Sequence, residues 1–121
     1  RDARALDRRY ARWFPAADRV PQALGPLPDA GTAERDDLDA ALVTLTTIAE
    51  AIGIGSGSAL ARRADAIDVL ERLLPDARLS PARYWELLQL YPGAMTTAVG
   101  AVHHAVEAAR ASSGVSYTRG R

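Results

Sequence analysis

The motif His103-His104-x-x-Glu107 holds both histidines of the 121-residue chain. On a helix, Glu107 is the i, i+4 neighbour of His103 and the i, i+3 neighbour of His104, within reach of either ring. A metal centre needs three or four convergent ligands. Di-iron helical bundles supply them through Glu-x-x-His repeats on separate helices. Glu50, Glu71 and Glu86 have no histidine three residues on. The expectation is a histidine beside the core and a surface ion pair, with no metal and no cofactor.

The spacing Gly53-x-Gly55-x-Gly57 suits a phosphate cradle, because a helix start presents unpaired N–H groups to anions. Dinucleotide and P-loop cradles follow a strand, whereas a helical pattern precedes this one, and no Gly-Lys-Ser/Thr is present. The triplet therefore reads as a turn. The chain has no cysteine, so it forms no disulfide and has no thiol nucleophile. Its serines fall at turns and caps, where hydroxyls bond backbone N–H groups. No nucleophile–base pair emerges from spacing, and a non-enzyme is expected.

These residues sit in a pattern of helices. Leu6, Tyr10 and Trp13 share one stripe of a first helix over residues 2–14, opposite Arg1, Arg4, Arg8 and Arg12. A connector with Pro15, Pro21, Pro26 and Pro28 follows, holding at most a short helix. A second helix is expected after Thr32, with Glu34, Asp36 and Asp37 in its first turn, where the dipole favours negative charge. Its stripe of Leu38, Leu42, Leu45, Ile48 and Ile52 is continuous, and Gly53 is placed to end it in the left-handed conformation.

A third helix follows Ser58, with Leu60, Ala64, Ile67, Leu70 and Leu74 inward and Pro75 as its stop. Ser80-Pro81 marks the start of a fourth. A fifth covers residues 94–111, ending at Ser112-Ser113-Gly114. The predicted architecture is all-α, a compact bundle of four to five helices with a Gly-rich αα-hairpin turn at 53–58. Residues 1–111 form one domain and 112–121 an exposed C-terminal tail.

Charge and aromatic placement carry the functional expectations. All fifteen basic residues are arginine and the net charge is zero, so the strongly basic footprint of a nucleic-acid binder is missing. The charge is uneven. Residues 1–19 hold six arginines against three aspartates, whereas residues 20–58 hold Arg35 against six acids. Six of the seven aromatics cluster at Tyr10, Trp13 and Phe14 and at Tyr84, Trp85 and Tyr91. One helix cannot turn all of the second group inward. Trp85, with Tyr84 beside it, is the expected partner contact, since aromatics dominate interface hot spots. Arg4, Arg8 and Arg12 form a second candidate face.

The segment from Thr47 to Ile67 resembles the bacterial helix-turn-helix over about twenty residues, a small fraction of the chain. Ala49 and Gly53 match the small residue and turn glycine, and Thr47-x-x-Glu50 a capping box. The resemblance implies that Ser56, Ser58, Arg62 and Arg63 face DNA. Against it stand the unbroken Leu38–Ile52 stripe and the need for an extra turn residue to bury Leu60.

The expected function is a non-catalytic helical protein–protein interaction or regulatory module, self-associating as a homodimer or binding a protein partner. A DNA-binding regulator using residues 47–67 is the alternative. No apolar run approaches the roughly 18–20 residues of a membrane span, and a cytoplasmic location is expected.

Overall fold

The computed structural model describes residues 3–20, 32–55 and 57–119, with side chains for residues 3–20, 33–55 and 57–108. Among the described residues the protein is all-α and has no strand. Five helices pack together: α1 (Ala3–Trp13), α2 (Thr32–Gly53), α3 (Ala59–Asp76), α4 (Pro81–Leu90) and α5 (Pro92–Arg119). A single 3₁₀ turn, Ala17–Arg19, follows α1.

Helix α2 organises the bundle. Its apolar stripe buries Ala41, Leu45, Ile48 and Ile52 and half-buries Leu38 and Leu42, mostly against α5 and then α3. Residues 44–49 are helical without a break, as the continuous stripe requires. Near their starts, α2 and α5 are linked by Tyr91 Oη donating to Glu34 Oε2 at 3.3 Å. Near the end of α2, a Cβ added at Gly53 would lie 4.0 Å from the Ala105 Cβ. The two helices therefore run parallel. Helix α3 returns alongside them, and α1 follows the direction of α3, with Asp7 paired to Arg63 and Arg9 to Glu71. Helix α4 meets the end where α2 begins, Arg83 bonding Glu34 and Asp37.

Several local expectations need correction. Gly53 is the last residue of α2, and the positive φ falls at Gly57 instead, +120°. Ser58 then caps α3, its Oγ accepting from the Ala61 N–H at 3.1 Å. Pro75 does not stop α3, which runs to Asp76. The stop is a Schellman closure. Leu79 N–H bonds Leu74 O, Arg78 N–H bonds Pro75 O, and Arg78 adopts φ 60°. Leu74 and Leu79 are both buried, supplying the hydrophobic contact of that motif.

Helix α4 begins where the sequence places it: Ser80 Oγ accepts from Arg83 N–H at 3.1 Å, and Pro81 is the first helical residue. Helix α5 starts two residues early, at Pro92, and does not stop at Ser112-Ser113-Gly114 but continues to Arg119. A lone glycine costs an established helix only about 1 kcal/mol. The segment expected as an irregular tail is thus helical through residue 119, and its side chains lie outside the described residues.

A candidate partner-binding face

Tyr84 and Trp85 are adjacent but end in different environments, because neighbours on a helix point about 100° apart. Tyr84 is 0% exposed, so it is not the surface contact that the sequence suggested. Its ring packs on Trp13, 5.7 Å between centroids. Its hydroxyl donates to the Trp13 carbonyl. That carbonyl ends α1 and lacks an intrahelical donor, so the two orphaned groups satisfy each other. Burial pushes the Tyr84 hydroxyl pKa well above its ordinary value. Trp85 stays half-buried and lines an open groove with Ser80, Ala82, Glu86 and Gln89.

Arg83, one residue before Tyr84, was not among the expected site residues. Its Nε donates to Asp37 Oδ2 at 2.8 Å, and its terminal nitrogens reach Glu34 and Glu86. These three carboxylates, Glu34 first, then Glu86 and Asp37, raise the Arg83 pKa and hold the guanidinium charged. One cation among three anions leaves an excess of negative charge. Asp36 and Asp39 are also exposed near the start of α2, but helical spacing turns them away from Glu34 and the buried stripe. Only the Arg83–Glu86 spacing was readable from sequence as a helical pair. Glu34 and Asp37 come from 49 and 46 residues away.

The arginine row lies elsewhere. Arg4, Arg8 and Arg12 are exposed on α1. The Arg12 guanidinium sits 5.5 Å from the centroid of the Trp13 ring. Helix α1 packs mainly on α3, whereas the acidic cluster joins the start of α2 to α4.

The residues implied by the helix-turn-helix resemblance are otherwise engaged. Ser56 lies outside the described residues, and Ser58 spends its hydroxyl on the α3 cap. Arg62 is only 8% exposed, and its guanidinium donates to Ala105 O at 3.2 Å and to Gly55 O. Leu60 takes the outward position instead, 42% exposed. This reverses the expected order of the two. One acceptor is in the turn that follows α2 and the other lies within α5, so Arg62 ties the hairpin turn to α5. Arg63 is paired with Asp7 at 3.1 Å and Glu107 at 3.7 Å and lies over the Tyr10 ring.

His103 is half-buried, its Nδ1 2.9 Å from Tyr10 Oη and its Nε2 3.4 Å from Pro15 O. A neutral ring protonated on Nε2 suits both contacts, with Tyr10 donating. Glu107 pairs with Arg63, and His104 is exposed. No group of three or more metal-ligating side chains converges among the described residues, and no described helix is long and apolar enough to cross a membrane. No family model, curated protein or solved structure matches the chain.

Proposed function

We propose that the chain is a non-catalytic helical interaction module whose binding face is the acidic, Trp85-bearing surface of α4 and the start of α2. The observation that carries this reading is the half-exposed Trp85 beside a cluster in which three carboxylates surround the single guanidinium of Arg83. An indole offers a π face to a cation, and carboxylates offer bidentate acceptors to a guanidinium. Together they select an arginine-rich segment of a protein partner. The DNA-reading alternative would require Arg62 to leave its two carbonyls and Arg63 its two carboxylates.

The test is a fluorescence titration with a synthetic arginine-rich peptide, monitoring Trp85. The expected result is a saturable, salt-sensitive change in emission that Trp85→Phe removes and Glu86→Gln weakens. A glutamate-rich peptide of equal length should leave the emission unchanged. An unresponsive Trp85, or equal responses to both peptides, would refute the reading.

A further inference from the structure

A second concavity lies beside Trp85. The ends of α1 and α3 and the start of α4 enclose a pocket of about 160 Å³. Trp13, Leu74 and Leu79, all buried, form its floor, and Pro75 and Pro81 stand exposed at its rim. Among the described residues Glu71 is the one charged group lining it, and Arg9 already answers that carboxylate at 3.1 Å. The pocket therefore offers apolar surface and no charge in need of a partner. Proline fixes φ, so the rim is set before anything binds. An apolar cavity of about 150 Å³ holds one benzene ring, which makes a phenyl group the right size. The indole of Trp13 gives such a ring an aromatic wall to pack on.

Helical spacing sets this pocket next to the binding face. At about 100° per residue, Trp85 stands about 40° round α4 from Pro81, and Glu86 about 100° beyond Trp85. Pro81 and Trp85 are also i, i+4 neighbours, with Cβ atoms about 6 Å apart. Trp85 thus separates the apolar pocket on its one side from the Glu86 carboxylate and the Arg83 cluster on its other.

We infer that the arginine-rich partner segment carries a phenylalanine anchor, which fills this pocket while its arginines reach Trp85 and Glu86. The inference rests on the binding face proposed above and adds what selects its partner. The carboxylates accept any arginine-rich segment; the pocket picks out one with an aromatic side chain beside the arginines. A buried aromatic anchor with polar contacts around it is where interfaces concentrate their binding energy.

Two dye-labelled arginine-rich peptides of equal length and charge test this, one with a central phenylalanine and one with alanine in its place. Fluorescence anisotropy gives their affinities for the full chain. The phenylalanine peptide should bind the wild-type chain at least about tenfold more tightly, as expected for burying one large apolar side chain. Leu74→Phe fills the pocket from its floor and Glu71→Phe covers it from its rim; far-UV circular dichroism confirms that each variant folds. On either variant the two peptides should bind alike, at the level of the alanine peptide on the wild-type chain, because the carboxylates beyond Trp85 are untouched.

Equal affinities of the two peptides for the wild-type chain overturn the inference, whether or not the variants fold. So does a preference for phenylalanine that a folded pocket variant retains. If the alanine peptide still gives the salt-sensitive Trp85 response, the binding face stands and only the anchor falls. If neither peptide binds, both fall.

Discussion

The guanidinium of Arg62 on α3 donates to the Ala105 carbonyl of α5 at 3.2 Å, joining residues 43 positions apart at the end of the bundle where α2 turns back. A second bond reaches Gly55 O, so one side chain ties the hairpin turn to α5. Its Nε is buried and meets no acceptor among the described residues. This is a buried cation held by dipoles and not by a carboxylate.

In such an arrangement the cost of burying the guanidinium offsets much of what its hydrogen bonds contribute, so the volume it fills decides the balance. Arg62→Met keeps much of the volume and removes the orphaned Nε and the buried charge. It should stay within about 1 kcal/mol of wild type, as apolar replacement of buried charge often does. Arg62→Ala leaves a void and should cost about 2–4 kcal/mol. Urea unfolding midpoints at constant m-value separate the two; equal losses would show that the bonds, and not the volume, matter.

The Tyr84–Trp13 bond makes a narrower prediction. Tyr84→Phe keeps the ring against Trp13 but leaves the Trp13 carbonyl without its donor. The expected loss is about 1–2 kcal/mol, the cost of a buried acceptor left unpaired. Tyr84→Ala should lose about 3–5 kcal/mol, as for other large aromatic truncations. A neutral Tyr84→Phe in thermal and urea unfolding would mean that another donor reaches that carbonyl.

These two residues also mark what the sequence could and could not reveal. Elements set by local chemistry were legible: the Ser80-Pro81 start and the Leu45–Ile48–Ile52 stripe. Elements decided by a partner far along the chain were not. Helical spacing groups Tyr84 with Leu87 and Leu88, all buried, and sets Trp85 off that stripe, but it does not show the carbonyl 71 residues away that takes the Tyr84 hydroxyl. Apolar periodicity likewise placed Leu60 inside, because it gives no credit to an arginine whose head bonds the carbonyls of the turn and of α5. The Arg83 cluster escaped notice for the same reason. Acids in the first turn of α2 already had a local explanation in the helix dipole. Their excess over that need was the available signal.

Two backbone positions give predictions of opposite sign. Arg78 holds φ 60° at the Schellman position, which glycine adopts without steric cost. Arg78→Gly should stabilise the fold by about 0.5–1 kcal/mol, the relieved strain being partly offset by a more flexible unfolded chain. Gly57 holds φ +120° before the α3 cap, where an added Cβ is strained even though its nearest neighbour, the Ala61 Cβ, lies at 3.7 Å. Gly57→Ala should destabilise by about 1–2 kcal/mol. Paired thermal melts should show the two variants moving in opposite directions.

The buried tyrosines should make stability fall at alkaline pH. Burial is the largest cause raising the pKa of both Tyr10 and Tyr84, with Arg63 pulling Tyr10 partly back down. In the unfolded chain both phenols titrate near the ordinary value of about 10. Below that pH both states keep their protons and the contribution is constant. Above it the unfolded chain releases protons that the folded protein retains, so stability falls as pH rises toward the folded values. Each tyrosine should steepen the loss by up to about 1.4 kcal/mol per pH unit, one proton's worth of linkage. Tyr10→Phe and Tyr84→Phe should each remove one proton from that slope, whatever their effect on stability at neutral pH. Urea unfolding across the alkaline range measures it, and a slope that either variant leaves unchanged would show that the phenol already ionises in the folded protein.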